Sequence, residues 1–203
     1  MESRYNYEQA AAAIEKRGTE LFPDFKFHEE DKPVLQKLLC YFLQDDTVAT
    51  ELGINLNKGI ILSGPVGCGK TSLISLMRFL QPQGNRFIVK SCREVSFEFI
   101  QNGYEVIHRY SHRSFYNHEP QTYCFDDLGT ENNLKFFGNE CNVMAEILLS
   151  RYDLFVSRNL ITHLTTNLSA SEIEAAYGNR VRSRMRELFN LIAFDKTTKD
   201  KRK

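Results

Sequence analysis

Apolar positions along this chain switch between helical and strand spacing, and the switching predicts an α/β protein. Val34, Leu35, Leu38, Leu39 and Phe42 recur as one helix face, with Asp31 and Pro33 marking its start and Asp45-Asp46 its end. An Ala-rich run over 7–21 predicts a helix before it, and Phe22-Pro23-Asp24-Phe25-Lys26-Phe27 between them reads as an extended aromatic segment broken by proline. Residues 47–58 read as a linker. The run Gly59-Ile60-Ile61-Leu62 then predicts a first buried strand. Leu73, Ile74, Leu76, Met77 and Leu80 predict a largely buried helix, ended by Gln81-Pro82-Gln83-Gly84-Asn85. Phe87-Ile88-Val89 is a second strand, helical sequence covers 94–107, and a polar and aromatic stretch runs to Pro120. Tyr123-Cys124-Phe125 supplies a third strand, 140–155 a helix, and 160–164 a fourth strand. Ser169 and Glu172 have the spacing of a capping box for the next helix, which Gly178 closes. A short basic helix over 180–188 and the fifth strand Leu191-Ile192-Ala193-Phe194 follow, leaving 196–203 as a charged, frayed tail.

Strands alternating with helices predict a parallel sheet between helical layers, with ligands at the carboxyl ends of strands. Three clusters fall at such ends. Gly64-Pro65-Val66-Gly67-Cys68-Gly69-Lys70-Thr71 directly follows the first strand. Its glycines let the backbone turn tightly and aim N–H groups at an anion, and the helix opened by Lys70 and Thr71 adds its positive dipole end. In such a loop Lys70 reaches the β and γ phosphates and Thr71 ligates Mg2+. Asp126 and Asp127 end the third strand, the first suited to a hard cation, the second to orienting an attacking water. Asn167, or else Thr166, could hold the same water from the next strand without adding like charge. Arg180 and Arg184, four apart, point the same way on the basic helix; they either stabilise a transferring phosphoryl group or pair with Glu174 or Glu187 in solvent.

Charge and cysteine content narrow the setting. The 26 basic and 26 acidic residues among 203 cancel, so attraction to nucleic acid would have to come from a local patch. Such a patch is offered by Arg109, Tyr110, Arg113, Phe115 and Tyr116, where aromatics alternate with cations as on single-strand binding surfaces, although a helix covering the sheet edge would also need aromatics. Cys40, Cys68, Cys92, Cys124 and Cys141 are odd in number and never spaced C-x-x-C, so reduced thiols and a cytoplasmic location without structural zinc are expected. No apolar run approaches the ~18 residues of a membrane span, and the first residues lack a signal-peptide pattern.

Taken in order, Gly-Pro-Val-Gly-Cys-Gly-Lys-Thr, Phe125-Asp126-Asp127-Leu128-Gly129, Thr165-Thr166-Asn167-Leu168 and Tyr177-Gly178-Asn179-Arg180-Val181-Arg182-Ser183-Arg184 resemble the AAA+ ATPases of the DnaC-type helicase loaders and IstB-type transposition helpers, and more distantly DnaA. The resemblance covers roughly 55–195. It implies a P-loop core with a five-stranded parallel sheet in order 5-1-4-3-2 over residues 51–195, without a C-terminal lid, behind a short helical segment at 1–50. It also implies ATP and Mg2+ as ligands, Asp126 and Asp127 as Walker B, Asn167 as sensor 1, Arg184 as arginine finger and Arg180 as its companion. Family members assemble through ATP, and several grip single-stranded DNA with helices inserted after strand two, which corresponds to 94–118 here. Phe25 and Phe27 would border the adenine, and the implied partners are a second copy of the chain, single-stranded DNA, and a replicative helicase or transposase. Two other readings of the residues stand beside this one: a nucleotide-gated binding module with negligible turnover, and a small P-loop kinase, in which Thr-Thr-Asn and Tyr-Gly-x-Arg would have no role.

Overall fold

The computed structural model describes residues 5–116, 119–131, 134–136 and 139–202. The first helices form where the apolar pattern puts them. Helix α1 spans Tyr7–Leu21, capped by Asn6, whose side chain accepts from the Gln9 amide at 2.9 Å. Helix α2, Lys32–Leu43, buries Val34, Leu35, Leu38, Leu39 and Phe42. The expected linker instead contains α3, Asp46–Leu52, capped by Asp45, which accepts from the Val48 amide at 3.2 Å, and ended by left-handed Gly53. Only Ala49 of α3 is buried, so it presents no apolar stripe for a sequence to reveal.

Strand β1, Gly59–Ser63, leads through a short loop into α4, Lys70–Met77, which a 3-10 turn extends to Leu80. Strand β2 covers Ile88–Ser91. The helical sequence after it divides at Gly103 into α5, Cys92–Asn102, and α6, Glu105–Tyr110. A two-residue hairpin, β3 (Phe115–Tyr116) with β4 (Glu119–Pro120), precedes β5, Tyr123–Leu128. A second hairpin, β6 (Leu134–Phe136) with β7 (Asn139–Cys141), precedes α7, Val143–Arg158. Strand β8 is Thr162–Thr166, α8 is Ala170–Leu188 and β9 is Phe189–Ala193. The expected capping box is formed: Ser169 Oγ accepts from the Glu172 amide at 3.3 Å, and the Glu172 carboxylate accepts from the Ser169 amide at 2.7 Å. Gly178 ends the first helical stretch as expected, leaving helical geometry with φ 84° and ψ 160°, and α8 resumes beyond this kink as the basic helix.

The sheet runs β2-β5-β8-β1-β9, all parallel, which is the 5-1-4-3-2 order expected. In register, Ile88 faces Tyr123 and Cys124 faces His163, with an irregularity in β5 between Phe125 and Leu128. By contacts the chain forms two compact units, one holding residues through Leu56, Leu62–Arg86 and Asn190 onward, the other Asn57–Ile61 and Phe87–Phe189. In the first, the guanidiniums of Arg17, Arg78 and Arg86 lie 4.9, 5.2 and 4.9 Å from the Phe79 ring. In the second, Phe99, Phe125, Leu128, Met144, Ile147 and Leu164 belong to one buried cluster.

Every position of β8 is buried although four of its five residues are polar, so each polar group needs a partner. Thr162 Oγ1 accepts from Arg151 Nε at 2.7 Å, and His163 Nδ1 accepts from the Ile60 amide at 3.1 Å. Burial, reinforced by the Arg151 charge, pulls the His163 pKa down to about 3, so the imidazole is neutral. A Cβ on Gly59 would sit 1.7 Å from the Thr162 carbonyl oxygen, so only glycine lets the chain pass there.

Candidate functional site

In the first unit the loop after β1 has the conformation an anion cradle requires. Gly67 and Gly69 hold φ at 81° and 93°, a region costly for any side chain, so successive amides can turn toward one point. Gly64 is needed for space, since a Cβ there would lie 2.8 Å from the Phe194 Cβ and 3.0 Å from Cys68 Sγ. Pro65 and Val66 complete the turn, and Val66 is exposed. Lys70 is buried, and its ammonium donates to the carbonyls of Gly64 at 2.9 Å and Pro65 at 2.8 Å. The Cys68 thiol is buried too, which raises its pKa despite the neighbouring Lys70 charge. Thr71 is exposed in the first turn of α4.

The tail expected to be frayed is described through Arg202 and lies against this loop. The Lys201 amide donates to the Gly67 carbonyl at 3.0 Å, and a Cβ on Gly67 would come within 2.2 Å of the Asp200 carboxylate. Arg202 binds Asp200 through Nε at 3.0 Å and Nη2 at 2.8 Å, and the Lys201 ammonium pairs with Asp31. These contacts, supplied by residues distant in sequence, are what composition alone cannot reveal. A cavity of about 1480 Å³ is lined by the segment Phe22–Asp31, by Gly67–Gly69 with Ser72 and Leu73, by Phe194 and by Lys199–Arg202.

In the second unit, Asp126 and Asp127 end β5 in a defined arrangement. Thr165 Oγ1 donates to Asp126 Oδ1 at 2.6 Å and accepts from the Asp127 amide at 2.8 Å, so one hydroxyl fixes both residues. Asp126 is nearly buried, whereas Asp127 adopts φ 57°, the left-handed region, at the irregularity in β5. Thr165 was not legible as a site residue: a threonine inside a strand has the same sequence signature whether it orients a carboxylate or only fills space. Thr166, the second choice for holding a water, is committed elsewhere, donating to the Leu128 carbonyl at 2.7 Å and accepting from the Leu168 amide at 3.0 Å. Asn167 is exposed just beyond β8. The loop after Asp127 is braced as well: Glu131 accepts from the Gly129 amide at 3.0 Å and from the Tyr177 hydroxyl.

On α8 the arginines fall into different environments. Arg184 donates to the Tyr152 hydroxyl at 2.9 Å and Glu187 at 3.2 Å, with its guanidinium 4.3 Å from the Tyr152 ring centroid. Hydrogen bonding from Tyr152 and Arg184 holds the Glu187 carboxyl below its usual range. Arg182 pairs with Glu174, and Arg180 is exposed beyond the Gly178 kink. The acids named as alternatives therefore take Arg182 and Arg184, while Arg180 is exposed.

The basic and aromatic stretch is partly engaged within the protein. Arg109 pairs with Glu98 at 3.0 Å and Arg113 with Glu105 at 2.6 Å, so both charges are met within the segment. Tyr110 is buried and donates to Glu98 at 2.8 Å, which removes its ring from stacking with a base. Phe115 is half-buried, 5.3 Å from the Arg158 guanidinium; the side chain of Tyr116 and residue His118 lie outside the described residues. Exposed apolar side chains occur instead on α5 and just after it: Phe97, Ile100 and Tyr104, with Arg93 set 5.3 Å from the Phe97 ring. All three lie within 94–118, the segment that the family resemblance assigns to gripping single-stranded DNA.

No family model matches the sequence, and no curated protein matches it. Solved structures do. The DnaC helicase loader aligns with a TM-score of 0.60 at 17% identity, over 89% of this chain and 99% of that one. DnaI aligns at 0.56 and 18% identity, over 86% of this chain and 90% of the other. DnaA from Aquifex aeolicus, solved with AMPPCP bound, aligns at 0.56 and 16% identity, over 84% of this chain but 48% of its own. The chain has the fold of these proteins, an α/β arrangement around a five-stranded parallel sheet. Among the described residues no helix is long and apolar enough to cross a membrane.

Proposed function

We propose that this chain binds and hydrolyses ATP as an AAA+ protein of the helicase-loader or IstB-like kind, assembling with further copies of itself and acting on DNA or on a DNA-bound partner. The observation that carries the reading is the Thr165 hydroxyl clamped between the Asp126 carboxylate and the Asp127 amide. A solvated turn has no use for a buried, oriented carboxylate followed by a left-handed aspartate; a metal-dependent phosphoryl site does. The glycine loop fits a nucleotide through its two positive-φ glycines and its buried lysine.

In this reading the amides of Gly64–Thr71 and the Lys70 ammonium bind the phosphates, with Lys70 exchanging its loop carbonyls for phosphate oxygens. Thr71 and Asp126 are the hard-oxygen donors that would hold Mg2+, which supplies charge neutralisation on the phosphates when bound. Asp127 orients the attacking water and takes its proton, and Asn167 positions the same water as a neutral amide. Arg184, supplied to a neighbouring copy with Arg180 beside it, stabilises charge on the transferring phosphoryl group. That step requires Arg184 to leave Glu187, an exchange of one exposed ion pair that costs little. The exposed face Arg93, Phe97, Ile100 and Tyr104 is the better surface for single-stranded DNA than the stretch 109–116, because its ring beside a cation is open to a base.

The test is turnover of Mg-ATP by Arg184→Ala and Asp127→Asn, alone and mixed. Arg184→Ala should lose about 10³-fold or more in rate with unchanged ATP affinity, and mixing it with Asp127→Asn should restore activity if the arginine acts in trans. Full turnover by Arg184→Ala removes the finger. Turnover of the unaltered protein no faster than that of Asp127→Asn removes hydrolysis and leaves a nucleotide-gated binder.

A further inference from the structure

The proposed phosphate loop occupies one part of a cavity whose other walls come from the two ends of the chain. One wall is aromatic: Phe25 meets Phe22 and Phe27 with ring centroids 6.3 and 5.2 Å apart. The facing wall is the basic tail Lys199–Arg202. Asp31 joins them. Its Oδ2 accepts from the His28 amide at 3.0 Å, fixing the end of the aromatic segment, while Oδ1 receives the Lys201 ammonium. Asp31 is 3% exposed, so the carboxylate depends on that cation: a buried charge stripped of its partner is strongly unfavourable.

The rest of the tail is arranged around the same point. Asp195 Oδ1 accepts from the Thr197 amide at 2.8 Å and the Thr197 hydroxyl at 2.5 Å, and the Thr198 amide returns to the Asp195 carbonyl at 3.1 Å, turning the chain back after β9. Lys201 passes 5.4 Å from the Phe194 ring centroid and donates its amide to Gly67. The only acid in Lys199–Arg202, Asp200, is neutralised by Arg202, so this wall keeps a net positive charge beside a loop built for anions.

We propose that the C-terminal tail is a strap that completes the nucleotide cleft, latched by the Asp31–Lys201 pair, and that it sets how long a nucleoside di- or triphosphate stays bound. This rests on the nucleotide-binding reading above. Among the described residues the strap covers the loop from that side, and opening it is the route by which nucleotide leaves.

The experiment follows release and affinity of Mg-ADP carrying a fluorescent ribose label, using the full chain and the variants Lys201→Glu, Asp31→Lys and their double exchange, with Lys201→Ala as a milder probe should Asp31→Lys not fold. Each single charge reversal should weaken binding about tenfold or more, mainly by faster release, and the double exchange should recover to within about threefold of the unaltered protein. Lys201→Ala should speed release, and it should also lower the melting temperature in the absence of nucleotide, because the buried Asp31 loses its cation, so release is read well below that temperature. Singles that bind as tightly as the unaltered protein, or tighter, overturn the strap, as does a folded double exchange that recovers nothing. Failure of the unaltered protein to bind Mg-ADP at all, with Lys70→Ala no different, would instead overturn the nucleotide-binding reading.

Discussion

A single hydroxyl group carries the arrangement of the acidic pair. Thr165 spends its proton on Asp126 and a lone pair on the Asp127 amide, and both partners lie in or beside the buried end of β5. Thr165→Val keeps the branched shape and deletes both hydrogen bonds, leaving an amide and a carboxylate oxygen without them. The expected stability loss is about 1–3 kcal/mol, read from the urea midpoint. Turnover should fall about 10- to 100-fold through misorientation of Asp126, the size typical when a group behind a metal ligand is removed. Thr165→Ser, which keeps the hydroxyl, should recover most of the turnover. A valine variant that hydrolyses ATP at the unaltered rate would reduce Thr165 to packing.

At the scale of elements, Arg151 ties the inserted segment to the sheet. It is fully buried on α7, and its guanidinium donates to Thr162 Oγ1, Ser114 Oγ and the carbonyls of Tyr110, Gln121 and Ile161, between 2.7 and 3.2 Å. All five partners are neutral oxygens, and the plane also faces the rings of Tyr123 and Phe125 at 5.4 and 5.7 Å. Burial lowers its pKa to about 9, which still leaves it charged at neutral pH. Arg151→Met would take a donor from all five acceptors at once, with Ser114 Oγ and the Gln121 carbonyl keeping their mutual bond at 3.2 Å, and the expected loss is about 3–5 kcal/mol. Backbone hydrogen exchange should accelerate first in 110–121, where three of those acceptors lie; uniform acceleration would mean that Arg151 holds no particular element. The sequence conveys none of this, because Arg151 reads as a surface residue on an amphipathic helix. What it does convey is periodic or punctuated: the helices with wide apolar faces, the five strands, the glycine loop and the capping box at Ser169. Helix α3 has no stripe, the two small hairpins are too short for any period, and the tail's position depends on Asp31, 170 residues away in the chain. Composition likewise counts Arg109 and Arg113 without revealing that Glu98 and Glu105 pair with them.

For the whole molecule, balanced charge makes acid sensitivity a matter of particular groups rather than general repulsion. With 26 residues of each sign, the net charge near neutrality is close to zero. His163 is fully buried, accepts the Ile60 amide through Nδ1 and has a pKa lowered to about 3 by burial and by Arg151, against 6.5 when unfolded. A base whose folded pKa is depressed takes up its proton preferentially in the unfolded state. The stability it permits is therefore complete above pH 6.5 and is lost as pH falls toward 3. The slope should approach about 1.4 kcal/mol per pH unit, or on the order of 3 kcal/mol between pH 6.5 and 4. The carboxyls held below their usual range, Glu172, Glu187 and Asp195, are all exposed, and their hydrogen bonds are lost only at more acid pH. Denaturant midpoints measured from pH 7 to 4 should thus decline in the unaltered protein. His163→Gln, which retains an acceptor for the Ile60 amide but cannot gain a proton, should flatten the decline even if it starts from lower stability. Equal slopes in the two proteins would mean that water or a rearranged Ile60 amide accommodates the charged imidazole, and that β8 is less tightly closed than its five buried positions imply.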